Sequence, residues 1–373
     1  MTSTTYHPSS AASTGGRLDV IVIGAGQAGL AVAWHLAQLG RRFLILDAGP
    51  EIGHTWRSRW DSLTLFTPAE YDALPGMPFP APAGSYPTKD QVADYLAAYA
   101  ARFELPVLLN AAVTRLSRER DHFSVHTSQG ILTAQQVIVA TGPFQRPVVP
   151  ALARQLSTSV VQLHSSQYRN PLDLPSGRVL VVGAGNSGLQ IAGELASTRD
   201  VHVAVGSSPK TVPQRILGRD LFWWLTRLGV LTKPPTSRLA RRFRARGGDL
   251  VIGSHPKELR RAGVRMRPRL VGAEGRTVRF ADQSTCEVDG VLWATGYRPD
   301  YSWIDIPSLC GSDGQIVHRR GVTDVPGLYV LGQPWQHTRG SALLGFVKDD
   351  ASWLARVATA RARDLDEARA SAC

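Results

Sequence analysis

One glycine-rich phrase occurs twice in this chain, as IVIGAGQAGL over residues 21–30 and as VVGAGNSGLQ over residues 181–190. Each places G-x-G-x-x-G directly after an apolar run and directly before a stretch of helix formers. Few folds accommodate that order. The first glycine permits a tight turn and the second lets the backbone approach a pyrophosphate. The third lets the helix lie close to the sheet, and the helix amides then point at the negative charge. Two copies predict an α/β fold with two Rossmann-like dinucleotide-binding domains facing each other across a cleft.

In the first copy, residues 18–23 read as a buried strand, Gly24, Gly26 and Gly29 as the turn, and residues 44–46 as the next strand. Amides near Ala25, Gln27 and Ala28 are the expected anion contacts. The unit closes in Asp47 and Ala48, about 20 residues on, where a carboxylate holds ribose hydroxyls. The second copy has its strand at 179–182 and its glycines at Gly183, Gly185 and Gly188, with Asn186 and Ser187 between them. A helix over 189–196 and a strand over 201–205 follow. This unit ends in Gly206, Ser207, Ser208, Pro209 and Lys210 instead of an acid. A carboxylate would repel a 2′-phosphate, whereas hydroxyls and a cation accept one. The second site therefore reads as NADP(H), and the first as a ligand with free ribose hydroxyls such as FAD. Lys210 and Arg215 are candidate phosphate partners, with plain surface charge as the alternative.

The rest of the composition removes other classes. The 373 residues are 43% hydrophobic and carry a net charge of +12. Two basic runs, 237–248 and 260–269, hold few aromatics and match no nucleic-acid module, so they read as solvated surface. The apolar stretch 18–39 is broken by Asp19, Gln27, His35 and Gln38, which excludes a membrane span there. Residues 1–16 have no apolar core and read as a disordered leader rather than a signal peptide. Cys286, Cys310 and Cys373 are far apart and form no C-x-x-C. Neither a metal site nor a dithiol centre is expected, and the sparse cysteines fit a reducing cytoplasm.

Further motifs then appear in a fixed order. GHTWRSRWDSLTLFTP spans 53–68, VIVATGPFQRPVVP spans 137–150, VLWATGYRPDYSWI spans 291–304, and PGLYVLGQPWQHTRGSALLGFVKDDA spans 326–351. With the two glycine loops, they resemble the flavin-containing (class B) monooxygenases over about residues 18–350. The likeness is greatest to the compact bacterial forms and to the plant indole-3-pyruvate monooxygenases. The resemblance implies an NADPH domain inserted into a discontinuous FAD domain: 17–150 and 285–355 for FAD, 170–284 for NADP(H), and 356–373 as a C-terminal tail. It implies flavin-side roles for Trp56, Arg57, Trp60 and Leu63. The two A-T-G segments become hinged linkers, with Thr141, Gly142, Thr295 and Gly296 beside the cofactors. A glycine turn at Gly332–Gln333 is to approach the flavin, and a helix starting near Ser341 is to aim its amides at the ring. Of the family fingerprint F-x-G-x-x-x-H-x-x-x-[W/F/Y], His164 and Tyr168 are present, while Thr158 and Val160 replace the aromatic and the glycine.

The implied activity takes hydride from NADPH onto the flavin and then uses oxygen. A C4a-hydroperoxyflavin transfers one oxygen atom to a small-molecule substrate and releases the other as water. Thr67, His164 and Arg339 are candidates to line the reactive cleft, His164 being equally readable as a structural histidine of the linker. The stretch 216–230 reads as an aromatic helix that caps the cleft, fills the core or makes a homodimer contact. Two rival functions remain open. One is a reductase or oxidase feeding a quinone, metal or carrier protein; the other is a flavin-binding NADP(H) sensor without catalysis.

Overall fold

In the computed structural model the described residues are 18–231, 233, 237 and 250–370. The expected leader and nearly all of the basic run 237–248 lie outside them. Strand β1 (Leu18–Ile23) buries its last four residues, as a strand covered on both faces must. It lies parallel to both β2 (Phe43–Leu46) and β6 (Gly130–Val139). β3 (Val107–Leu108) extends the sheet beyond β2, and β4 (Val113–Arg118) and β5 (Phe123–Thr127) form an antiparallel meander into β6. The chain comes back to this sheet late. Leu328–Val330 pairs parallel with the second half of β6, and Ile304–Asp305 pairs with β4. Helix α1 (Gln27–Gln38) links β1 to β2 and buries Ala28, Leu30, Val32 and Leu36. Short α2 (His54–Arg57) packs on α3 (Lys89–Arg102), which opens in a capping box formed by Thr88 and Gln91.

The second sheet is all parallel: Arg265–Arg267, β10 (Asp200–Ala204), β9 (Arg178–Val182), Gly290–Trp293 and β8 (Val161–His164), in that order. Helix α4 (Asn186–Leu195) follows β9, with α5 (Leu221–Arg227) and α6 (Pro256–Arg261) in the same unit. The last helix, α7 (Lys348–Ala370), returns to lie against α1. β7 (Arg146–Pro147) belongs to neither sheet and pairs instead with Tyr297–Arg298. Among the described residues no helix is long and apolar enough to cross a membrane.

Both β8 and Gly290–Trp293 belong to the second sheet, so its strands come from residues 161–293. Gly290–Trp293 supplies the strand between β8 and β9. Residues 356–370 continue α7, whose Ala358 and Ala362 are buried, and Gln136 Nε2 donates to Ala358 O at 2.9 Å. α4 begins at Asn186, three residues before the expected start, since Gly185 serves as its N-cap.

β10 buries His202 completely. Burial pushes its imidazole down to about 4, against Asp200 and with Arg267, Arg178 and Arg265 adding to the fall. The unfolded side chain titrates near 6.5, so between those values the unfolded chain binds more protons and stability falls as the pH falls. Stability fully present above about pH 6.5 is thus lost toward pH 4, by about 3 kcal/mol. In urea unfolding compared at about pH 7.5 and about pH 4.5, the wild type is expected to lose about 2 kcal/mol more than His202→Gln.

Candidate functional site

The two glycine loops have the same geometry. Gly24 has φ +110 and Gly183 φ +115, and a Cβ on either would meet the carbonyl of the alanine that opens an A-T-G segment. That distance is 2.6 Å to Ala140 O and 2.3 Å to Ala294 O. The alanine amide in turn donates to the last residue of the central strand, Ala140 N to Ile23 O and Ala294 N to Val182 O. A Cβ on Gly29 would lie 1.9 Å from Gly24 O, and one on Gly188 2.1 Å from Gly183 O. The middle glycines are different: nothing lies within 4 Å of a Cβ on Gly26 or Gly185. Both cap their helices without a side-chain hydrogen bond, leaving the first-turn amides of α1 and α4 for an anion. An open place at the middle glycine of each loop suits a pyrophosphate.

Asp47 stands at the end of β2, where Oδ2 accepts from Ala25 N at 2.6 Å and Oδ1 from Gly49 N at 2.8 Å. Each oxygen keeps a lone pair for a ribose hydroxyl, and Ala48 beside it is exposed. Gly332 (φ +83) packs on α1, where a Cβ added to it would lie 2.9 Å from Ala28 Cβ. Next to it the side-chain amides of Gln333 and Gln336 are buried; that of Gln333 faces the Tyr301 hydroxyl, and Gln336 Nε2 is a donor in want of an acceptor. The expected helix near Ser341 is corrected to a single 3-10 turn, Arg339–Ala342, capped by Thr338. Gly345 explains the break, because a Cβ there would lie 2.0 Å from Tyr71 O, so the chain must pass Tyr71 before α7 can start.

At the second loop, the Asn186 side chain is occupied: Nδ2 donates to Leu250 O at 3.0 Å and Oδ1 accepts from Ile252 N at 3.1 Å. It clamps the strand Leu250–Ile252, and only its backbone and that of Ser187 face outward as helix amides. Ser207 and Lys210 lie exposed past β10. Sequence reasoning missed Arg269, whose Nη2 donates to Gly206 O at 2.6 Å. It arrives there because Arg265–Arg267 pairs with β10, and its only trace in the sequence is the basic run 260–269. Arg215 is elsewhere, in the hairpin before α5, bonded to the Tyr86 hydroxyl.

The two linkers are bound together. Arg146–Pro147 pairs antiparallel with Tyr297–Arg298, Val148 N donates to Gly296 O at 3.0 Å, and Thr295 Oγ1 donates to Val148 O. Gln145 Nε2 donates to Thr141 Oγ1 and to Gly142 O. Gly142 and Gly296 have φ +69 and +82, as the expected bends require. His164 is buried here and spent on the joint. Nδ1 accepts from Ser166 N at 3.1 Å, and Nε2 donates to Gly296 O at 3.1 Å. Burial, with Arg59 adding to it, holds the imidazole below its ordinary range despite the Gly296 bond. Both ring nitrogens of His164 thus have protein partners, as the structural reading of this histidine expects.

Four residues of the segment 53–68 are expected on the flavin side, and each has contacts within the protein. Arg57 sits in a surface ion cluster with Asp94 (2.5 Å) and Glu51 (3.3 Å). Trp60 inserts into the core of the second unit beside Tyr168 and Val179, and Leu63 packs against the same core. Trp56 stays with the first unit's core. The missed residue is Arg59, the last position of the W-x-x-R pattern that starts at Trp56. Its Nη1 donates to Tyr297 Oη at 2.8 Å, and its guanidinium lies 5.6 Å from the Tyr297 ring and 5.9 Å from that of Phe144. Thr67 is buried, donating to Asp72 Oδ1 at 2.6 Å. Arg339 lies 5.7 Å from the Trp335 ring, where Gly340 meets Phe346 and Leu231 of the second unit.

Comparison with known proteins fits this geometry. Residues 21–216 match the pyridine nucleotide-disulphide oxidoreductase family. An uncharacterized CzcO-like oxidoreductase of Geobacillus kaustophilus is 47% identical over 338 residues, 90% of this chain and 97% of that one. A flavin-containing monooxygenase from Stenotrophomonas maltophilia superposes with a TM-score of 0.78 at 30% identity, over 92% of this chain and 99% of that one. The chain belongs to the class B flavin monooxygenase-like family. An indole-3-pyruvate monooxygenase of Oryza sativa, 26% identical over 391 residues, covers 92% of the chain and 86% of that relative. A bacillithiol disulfide reductase of Staphylococcus aureus shares the fold, with a TM-score of 0.67 at 16% identity. This family member is a flavin-dependent oxidoreductase using FAD and NADP(H).

The glycines separate folding from binding. Gly29→Ala forces a Cβ into Gly24 O and is expected to cost about 3 kcal/mol of stability. Gly26→Ala meets nothing in the protein and should leave urea unfolding of the apoprotein within about 0.5 kcal/mol. It should loosen the dinucleotide by about tenfold, read as FAD released on gel filtration.

Proposed function

We propose that this protein oxygenates a small organic substrate, with FAD on the first glycine loop and NADPH on the second. The contrast between the two strand ends carries the assignment. Asp47 suits free ribose hydroxyls, while Ser207, Lys210 and Arg269 suit a 2′-phosphate. The FAD unit would comprise residues 18–139 and 304–370, and the NADPH unit 161–293. The reaction takes NADPH, a proton, O2 and substrate to NADP+, water and oxygenated substrate. FAD held on the first glycine loop would supply the redox and oxygen-activating chemistry that side chains lack.

The chain's own residues hold and align. The α1 amides and Gly26 would receive the FAD pyrophosphate, Asp47 its ribose, and Gln333 with Gln336, whose Nε2 lacks an acceptor, the ring end. The α4 amides and Gly185 receive the NADPH pyrophosphate. The joint of Arg59, Tyr297, His164 and Gly296 sets the angle at which the two cofactors meet. Arg339, at the seam of the units, is the candidate cation for an acidic substrate or the nicotinamide phosphate.

Oxygen as acceptor is supported by the relatives and by the cysteines. Cys310 is exposed on the first unit, and Cys286 is half-buried in the second, beside His202. No C-x-x-C exists to take electrons. The Stenotrophomonas and rice relatives are named as monooxygenases. Sparse cysteines fit a reducing compartment, and we place the protein in the cytoplasm.

Stopped-flow decides the reading. Enzyme reduced by NADPH without air and then mixed with oxygen should show a transient flavin–oxygen absorbance, shortened by a sulfide, amine or ketone that is a substrate. Oxidation with no transient, and turnover of artificial acceptors without oxygen, would favour an electron-transfer reductase. The nucleotide assignment has its own check. Arg269→Ala should raise KM for NADPH by about tenfold or more and leave that for NADH unchanged.

A further inference from the structure

Asp72 closes the 3-10 turn Ala69–Tyr71 and has no exposed surface. Its Oδ1 lies 2.6 Å from Thr67 Oγ1, and its Oδ2 is buried with no hydrogen-bond partner. An ionised carboxylate with a bare oxygen in apolar surroundings is costly; a neutral acid leaves only a weak acceptor unpaired. Burial accordingly pushes the Asp72 carboxyl up to about 7, against the Thr67 bond and with Glu70 adding to the rise. It holds its proton below that pH and loses it above.

The position matters as much as the proton. The chain after Gly332, which touches Ala28 at the first loop, reaches Gly345, which touches the backbone of Tyr71 and Asp72. Across the seam, Gln214 Nε2 of the second unit donates to Phe66 O at 2.9 Å, and the rings of Phe66 and Tyr71 pack on Phe222. The same cluster holds Ile252, which is bonded to Asn186 of the second loop. Residues 66–72 thus touch both the segment that follows Gly332 and the aromatic cluster of the second unit that holds Ile252. Glu70 on its own turn and Tyr95 from α3 are the ionisable groups that face Asp72, and burial keeps Tyr95 neutral, pushed up to about 12. Asp220, before α5, acts on Tyr71 and Tyr86 instead. Residues 343–347, packed on the turn, contain no ionisable side chain.

We propose that Asp72 and Thr67 form a proton relay serving the cleft between the cofactors. The inference rests on the oxygen-using reading above. Reduction of O2 by NADPH takes up one proton per turnover, whether the product is oxygenated substrate with water or hydrogen peroxide. When Asp72 is protonated the hydrogen bond to Thr67 reverses, and the Asp72 O–H bond breaks as its proton passes to Thr67 Oγ1. The Thr67 O–H bond breaks as its own proton passes to the reacting oxygen. Asp72 is left as carboxylate, to be reprotonated from solvent, and no electrons move in the relay. Asp72 acts through Thr67 and is a positioning residue.

The test uses the FAD-loaded full chain and follows NADPH-dependent oxygen consumption against pH, so no substrate need be known. The wild-type rate is expected to fall above about pH 7 along a single ionisation limb. Asp72→Asn and Thr67→Val should each lower the rate at about pH 6 by on the order of 100-fold, abolish that limb, and together cost no more than either alone. The infrared carbonyl band of a protonated carboxyl should fade near pH 7 in the wild type, be absent in Asp72→Asn and persist to higher pH in Thr67→Val, which loses the bond that favours the carboxylate. A wild-type rate and limb in either variant overturns the relay. Should Asp72→Asn fail to hold FAD, Thr67→Val decides alone by the same two outcomes. Reduction of the wild-type flavin by NADPH without oxygen tests the two-cofactor reading separately, and the infrared band reports on Asp72 even if that reading fails.

Discussion

The fold depends on a contact made twice: a glycine with positive φ laid on the carbonyl of an A-T-G alanine, Gly24 on Ala140 and Gly183 on Ala294. A side chain at either glycine would push the loop off the sheet. With the glycine there, strand, turn and helix close to the distance at which the third glycine meets the first. The contact also ties each loop to a strand from far along the chain, β6 in one sheet and Gly290–Trp293 in the other. Because these are the strands that leave their sheets, the floor of each loop is continuous with a linker.

The linkers then do more than connect. Gly296 O accepts from both Val148 N and His164 Nε2, joining the two crossovers and β8 at one atom. Arg59, held by Tyr297 Oη and lying against the rings of Tyr297 and Phe144, brings the loop after α2 to the same joint. Trp60, its neighbour, anchors in the core of the second unit. The half-present fingerprint is consistent with this arrangement. His164 clamps the linker and Tyr168 donates to Glu194 on α4, whereas buried Val160 contributes packing where the family has glycine.

Strands and loops were legible because their signals are local. Residues 18–23 and 178–182 are apolar runs ended by glycine, and they form strands with bounds within a residue of expectation. What escaped is set by pairings between distant segments. Arg269 stands at the end of β10 only because Arg265–Arg267 adds to that sheet, so in sequence it is one arginine of a basic run. Residues 290–293 look like any returning strand until β8 and β9 are seen on either side of them. Asp72 carries no sequence signal, since its chemistry comes from being enclosed by Gly345, Tyr95 and Thr67. Arg57 and Arg59 are two positions apart in one motif, and only the turn of α2 sends the first outward and the second to the linkers.

Gly296 sits two residues after the alanine that supports the second loop, so the linker bend and the floor of that loop are one piece of backbone. Turning the units relative to each other must reshape the place where α4 would meet a pyrophosphate. By linkage, whatever occupies that place must bias the turn by the same free energy. On the proposed reading, nucleotide affinity would gauge the domain angle, and a change in the joint at Tyr297 would register as a change in how tightly the cofactor is held.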